Sequence, residues 1–264
     1  MTPYGNPADL AHPMTERPTM TRSIWAERLS KLSIGLGIGA IAFAFAGLSL
    51  ARYDLVGKLA GFSALLGGGA IALLGLLAGA IALVVGRRQT WRGRRSALIG
   101  LVLSLIFVGF LVSRPLAAGK APAIHDITTD LANPPQFEVL TLRSDNLTGV
   151  GTLENWRSVH RAAYGDLKPL TIAKPVAAVT ADATRIARDM GWAIAVSDPV
   201  RGHIEATASV SYIRFHDDVV IRISAAPDGK GSVVDMRSVS RVGVGDLGVN
   251  ARRIRSFLKA LAAA

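Results

Sequence analysis

The chain has 264 residues, half of them apolar and 19% charged, and a mean hydropathy of +0.36 that is high for a water-soluble protein. It contains no cysteine, which excludes a disulfide framework, a thiolate metal site, a cysteine nucleophile and an acylated-cysteine anchor. The formal charge of +11 invites a nucleic-acid partner, but five arginines crowd into one short loop, GRRQTWRGRRS, and those of the second half are interleaved with Asp and Glu, so no nucleic-acid partner is expected.

Residues 1–31 read as a cytoplasmic tail, rich in Pro, Thr and Met and disordered to about residue 21. Three uncharged apolar runs follow, Leu32–Ala51, Leu59–Gly86 and Ser96–Ser113, about 20, 28 and 18 residues long. A helix needs roughly 20 residues to span the hydrocarbon of a bilayer. Residues 32–113 therefore predict three transmembrane helices, and a chain of this size has no core in which to hide all of them. The first run is too long for a signal-peptide core and ends ARYD, so it reads as a retained anchor. Gly35–Gly39 and Gly75–Gly79 are small-residue pairs at helical spacing, suited to close helix packing. The spans carry no Asp, Glu, Lys, Arg or His, which argues against a channel or transporter.

Orientation follows from the loops. Arg87, Arg88, Arg92, Arg94 and Arg95 lie between the second and third runs and place that loop in the cytoplasm. The tail, with Arg17, Arg22, Arg28 and Lys31, shares that side. The first loop has Arg52, Asp54 and Lys58 and falls outside, as does everything after the third run. The expected location is the bacterial cytoplasmic (inner) membrane, multi-pass, with the amino terminus cytoplasmic and the carboxyl-terminal domain periplasmic.

Residues 114–135 form a linker leading into an extended segment (IHDITTDL), and 121–264 an α+β domain that overlaps it. One short helix is expected around Leu153–Ala163. A second begins at Pro175, carries Val176, Val179, Ala183, Ile186, Ala187 and Met190 at helical spacing, and ends at Gly191. Strands follow at Trp192–Ser197, at His203–Ser211 with clean apolar/polar alternation, and at Val219–Ser224 and Val233–Val239 around the turn APDGKG. A last helix spans Asn250–Ala262. This order predicts three membrane helices followed by an antiparallel sheet with helices on one face, the other face being solvated or a binding surface.

The segment GVGDLG at Gly243–Gly248 matches a dinucleotide-binding turn, but such a turn opens a βαβ unit and no second strand follows. It is read as a glycine-rich connection closed by Asn250 as N-cap, with weak anion binding at the helix start through Arg252 or Arg253 as the residual reading. A hairpin closing symmetrically on its turn sets Arg222 opposite Asp235, with Arg237 near by, as an ion pair or, with Glu205, as part of a ligand patch. His125, Asp126 and Asp130 fit no metal motif, and Asp217–Asp218 read as turn residues. No cofactor, metal or catalytic constellation is predicted.

The segments APAIHDITTDLANPPQF, GHIEATASVSYIRFHDDVVIRI and VVDMRSVSRVGVGDLGVNARRIRSFLKAL resemble the family called domain of unknown function 1499, over about Ala121–Leu261. The most specific stretch runs from Arg237 to Ile254. The resemblance implies a fold and an envelope location, not a reaction. Residues fitting its pattern are His125, Asp126, Asp130, Glu205, Asp217, Asp218, Arg222, Arg237, Ser238, Ser240, Arg241, Asp246, Asn250 and Arg253. The expected ligand or partner surface comprises Asp126, Asp130, Glu205, Asp218, Arg222, Arg237, Ser240, Arg241, Asp246, Asn250 and Arg253. The resulting expectation is a non-enzymatic membrane-anchored protein whose domain binds a protein, a lipid or another envelope component. The alternatives are a membrane-surface hydrolase or transferase using the Arg237–Asp246 cluster, and a protein whose spans act as an assembly partner in a larger membrane complex.

Overall fold

Three helices come first, α1 (Ile24–Arg52), α2 (Lys58–Gly86) and α3 (Arg94–Ala118), each long and apolar enough to cross a membrane. The computed structural model describes residues 23–88, 91–119 and 121–264; the tail expected to be disordered, with Arg17 and Arg22, lies outside them. Each helix contains its uncharged run and extends past it. α1 starts well before Leu32 because the Ser23 hydroxyl accepts from the Ala26 amide at 3.2 Å and caps the helix. Glu27, Arg28 and Lys31 are thereby helical.

The described chain divides into two compact units, one ending at Gly39 and including Ile71–Ile106, the other formed by Ala40–Ala70 and Phe107–Ala264. In the first, glycines let backbones approach. A β-carbon at Gly75 would lie 2.7 Å from Ser104 Oγ, and one at Gly79 would lie 2.6 Å from Ser33 Oγ. Ser33 Oγ donates to the Gly75 carbonyl at 2.8 Å. Gly35 and Gly39, by contrast, face open space; in this unit α1 is approached closely at Gly37, against Gly100 and Ser104.

The second unit carries the α+β domain: β1 (Asp126–Thr128), α4 (Leu153–Tyr164), β2 (Leu170–Ile172), α5 (Val176–Asp189), β3 (Ala193–Asp198), β4 (His203–Val210), β5 (Phe215–Ala225), β6 (Ser232–Ser240) and α6 (Val249–Ala262). The sheet is antiparallel in the order β1-β6-β5-β4-β3, with β2 also on β6. β3 to β6 form the expected meander, and Arg222 pairs with Asp235 in the register the hairpin predicts. α5 covers β3, β4 and β5, and α6 covers β6, β1 and β2. Between them Ile204, Ile221, Ile223, Val234 and Met236 pack with Val179, Ala183, Ile254 and Phe257. Trp192 stacks on Phe257 at 5.1 Å. Gly191, at φ +78°, closes α5 as expected.

Asp217 and Asp218 lie inside β5, paired with Ser240 and Val239, because the β4–β5 turn falls earlier, at residues 211–214. Asn250 is not the N-cap of α6: Gly248 is, at φ +75°, and the capping carboxylate belongs to Asp246. Asp246 accepts from the amides of Gly248 at 2.8 Å and Asn250 at 2.6 Å.

The β4–β5 turn docks on the hairpin between α1 and α2. Tyr212 Oη lies 3.0 Å from Ser49 Oγ, and Arg52 donates to the Tyr212 carbonyl at 2.8 Å while covering its ring at 4.8 Å. Phe215 meets Phe62 edge-on at 6.5 Å, and Ile213 is buried. Ser211 and Arg214 hold positive φ at the two ends of this turn, a conformation that surrounding contacts must maintain.

Candidate functional site

Alternation along the strands sends one set of side chains to the helices and the other to the opposite face. That second set is charged: Asp126 and Thr128 on β1, Asp235 and Arg237 on β6, Asp218 and Arg222 on β5, and His203, Glu205 and Thr207 on β4. The face is not solvated. The segment 129–152, without helix or strand, lies across it as a strap, and Asp126, Glu205, Asp218, Asp235 and Arg237 are all buried.

Glu205 is fully buried and holds the middle of the strap. Its carboxylate accepts from the amides of Glu138 at 2.5 Å, Val139 at 3.0 Å and Leu140 at 2.6 Å, and meets His203 Nε2 at 2.8 Å. Burial pushes its pKa up, but these donors outweigh it and hold the carboxyl below its ordinary range. The strap has no ladder of its own, so three of its amides find a side chain instead.

Arg237 and Asp126 form a buried two-bond pair at 2.9 and 2.7 Å. Arg237 also donates to the Pro135 carbonyl at 3.3 Å, and its guanidinium faces Phe137. Asn146 donates to Asp126 at 2.5 Å. Arg222 bridges Asp130 of the strap and Asp235 of β6, both at 3.0 Å. Arg241 binds Asp218 through two bonds of 2.8 Å and reaches Thr207. Arg143 of the strap, which the sequence did not single out, pairs with Asp145 and donates to the Gly243 carbonyl at 2.7 Å.

On the helix side, Arg253 pairs with Asp217 at 2.5 Å and with Ser238, and also donates to the side-chain amide oxygen of Asn250. Asn250 is fully buried and ties three elements together, donating to the His125 carbonyl at 2.8 Å and Ser240 Oγ at 3.0 Å and accepting from Ser238. Asp246 is pushed up by its burial, although the two amides it caps work in the other direction. The predicted surface residues thus fall into separate groups rather than one constellation: Asp126 with Arg237, Asp130 with Arg222, Asp218 with Arg241, Ser240 with Asn250 and Arg253, and Glu205 and Asp246 each on backbone amides.

Several buried polar atoms lack a partner among the described residues: both ring nitrogens of His125, Asn146 Oδ1, His160 Nδ1 and Tyr164 Oη. Burial lowers the pKa of His125, with the positive charge of Arg143 adding to the effect. Trp156, His160 and Tyr164 form a buried stripe at four-residue spacing on α4, in edge-to-face contact. Trp156 Nε1 donates to the Asp126 carbonyl at 2.9 Å, and His160 Nε2 accepts from the Thr128 amide at 3.1 Å, so α4 fastens β1. Burial lowers the pKa of His160 to about 4. The apolar–aromatic spacing of α4 could have revealed this stripe; nothing in the sequence marks Arg143 or Asn146.

Three hollows open near these groups. One of about 590 Å³ is lined by Arg143, Asp145, Asn146 and Arg237, and one of about 220 Å³ by Phe137, Arg143, Asp218, Ser240 and Arg241. The third, of about 610 Å³, lies between α4 and the start of α6. Among the described residues no three His, Asp or Glu side chains converge as a metal site.

No curated protein matches the sequence. The model of one family matches residues 126–261, just over half of the chain, from the first residue of β1 almost to the end of α6. The match covers the whole sheet, the strap and every ion pair described above. The chain belongs to that family, described as protein of unknown function (DUF1499).

Proposed function

We propose that this is a multi-pass protein of the bacterial cytoplasmic membrane whose carboxyl-terminal domain stands on the periplasmic face as a non-catalytic binding module for an envelope component. The observation that carries the reading is the contact of Tyr212 with Ser49 and Arg52. It supports an arrangement in which the α1–α2 loop and the domain share one side of the bilayer, in keeping with an odd number of spans. The arginines at 87, 88, 92, 94 and 95 favour the cytoplasm for the opposite side.

The binding role is supported over the hydrolase or transferase reading by the state of the Arg237–Asp246 cluster. Arg237 and Arg241 are neutralised by carboxylates, and Asp246 is engaged by the amides that it caps. A general base or nucleophile must be free to move a proton or attack. The test is replacement of Arg241 by Gln in the full-length protein. The reading expects the protein's phenotype to follow its folded amount. Loss of phenotype at wild-type stability and abundance would favour a reactive site.

A further inference from the structure

The end of the sheet that meets the α1–α2 hairpin is also the end where α6 begins. β6 finishes at Ser240 opposite Asp217, two residues after Phe215, and the Arg241 amide donates to the His216 carbonyl at 3.0 Å. Loop 241–248 therefore emerges beside the docked β4–β5 turn. It exposes Val244 and Leu247, and Leu247 holds a positive φ of 54° that a branched side chain rarely adopts. The chain leaving α3 arrives at the same place: Ala121 lies three residues past Ala118, a reach of about 11 Å at most for extended backbone.

The third hollow opens here, lined by Ala121, Pro122, Tyr164, Gly248, Arg252 and Arg255. Its polar groups are donors. Tyr164 is 6% exposed and its hydroxyl has no partner among the described residues. A β-carbon at Gly248 would lie 3.7 Å from that hydroxyl and 3.1 Å from Arg252 Nη1, so a side chain there would crowd the space that both groups line. Arg252 uses Nη1 for the Leu247 carbonyl, leaving Nε and Nη2 without a hydrogen bond among the described residues. Arg255 uses Nε and Nη2 for Asp166 and covers the Tyr164 ring, leaving Nη1 without a hydrogen bond among the described residues. The neighbouring acids are engaged, Asp166 by Arg255 and Asp246 by the cap of α6.

We propose that this hollow takes the phosphate of an anionic phospholipid headgroup, with Arg252, Arg255 and the Tyr164 hydroxyl as donors. Guanidinium groups suit phosphate oxygens because they offer several N–H bonds in one plane. The exposed Val244 and Leu247 beside the hollow suit the acyl boundary of the same leaflet. A choline headgroup brings a cation towards two arginines and is disfavoured. The inference rests on the membrane-anchored reading above.

The test uses the full chain purified in detergent and titrated with phosphatidylglycerol, phosphatidylcholine or soluble glycerol 1-phosphate, with bound adducts counted by native mass spectrometry. Saturable phosphatidylglycerol binding is expected, weakened about tenfold in R252Q/R255Q and about threefold in Y164F, which removes only the hydroxyl. The double variant R185Q/R188Q on α5 loses the same charge elsewhere and is expected to bind as wild type. Should R252Q/R255Q fold poorly, Y164F alone carries the test, with thermal unfolding as its folding control. Equal phosphatidylglycerol binding by wild type and Y164F, or by wild type and a folded R252Q/R255Q, overturns the proposal. So does competition by glycerol 1-phosphate at concentrations matching the lipid, which marks a free-anion site. Fractionation of the same preparation separates the two readings: protein that needs detergent for extraction but shows variant-independent lipid binding loses the site and keeps the anchor.

Discussion

On the helix side of the sheet, Ile127, Ile204, Ile221 and Met236 meet Val179, Ile254 and Phe257. On the other side the same strands present Asp126, Glu205, Arg222, Asp235 and Arg237 to an irregular strap. Both faces are buried, but apolar burial rewards any close-packed partner, whereas a paired charge rewards one partner at one distance. The strap has no helix or strand to fix it, and ordering irregular backbone costs about 1–2 kcal/mol per residue. Directional contacts at Glu205, Arg237 and Arg222 specify where it lies. Three of these charges, Glu205, Arg222 and Arg237, thus fasten the strap to the sheet, whereas Arg241, Asp246 and Arg253 tie the end of β6 and the start of α6 to their neighbours.

The largest effects are expected where either face loses its centre. Phe257→Ala should cost about 3–5 kcal/mol through lost burial and a cavity. Asp126→Ala should cost about as much, because Arg237 is left buried and unpaired. The comparison sharpens in the double variant Asp126→Leu/Arg237→Met, which should recover most of that loss in chemical denaturation, since a packed apolar pair replaces a buried ion pair at little cost. Failure to recover would show that the charges do more than fill and fasten.

Glu205→Gln is expected to be milder, about 1.5–3 kcal/mol, the scale of a hydrogen bond to a charged group. Its loss should be local: hydrogen exchange at residues 138–140 should accelerate while β4 to β6 stay protected. Uniform acceleration would mean that strap and sheet open together.

Acid should release the strap first. Glu205 has a folded pKa below its ordinary 4.5, so the unfolded chain binds its proton more readily. Its contribution is complete above about pH 5 and disappears as pH falls through the folded value. His160, lowered to about 4 by burial, acts in the same direction between its ordinary 6.5 and that value, because the unfolded chain gains the proton first. Thermal midpoints should therefore fall from pH 7 to pH 4, and the Glu205→Gln variant should show a shallower fall. An identical slope in both would remove Glu205 from the account.

The smallest effect is expected at the exposed strap pair. Arg201 meets Glu138 at 2.8 Å, but both side chains are largely in water, and Arg201→Ala should leave the unfolding midpoint unchanged. A shift comparable to that of Asp126→Ala would erase the distinction between the buried and the exposed charges.

Periodicity made the spans, the β3 to β6 meander, α5 and α6 legible, and symmetry of the APDGKG turn placed Arg222 against Asp235. The strap was illegible because its amides bond to Glu205 across the fold, and no local pattern encodes such a bond. Asp217 and Asp218 resembled turn residues because their partners, Arg253 and Arg241, lie far along the chain. Asn250 looked like a cap for the same reason: its partners on β6 and before β1 cannot be read from its neighbours. Residue types chosen for binding and residue types chosen for buried pairing look alike until the partners are located.

The chain's lack of cysteine makes the most direct measurement simple, since a single introduced thiol has no background. Val200, 91% exposed on the domain, and Arg88, in the loop after α2, would each be replaced by Cys and challenged with a membrane-impermeant maleimide in cells whose outer membrane alone has been opened. Labelling of Val200→Cys in intact inner membranes, with Arg88→Cys reacting only after lysis, is the predicted result. The reverse pattern, or equal labelling of both positions before lysis, would contradict the anchored, one-sided arrangement.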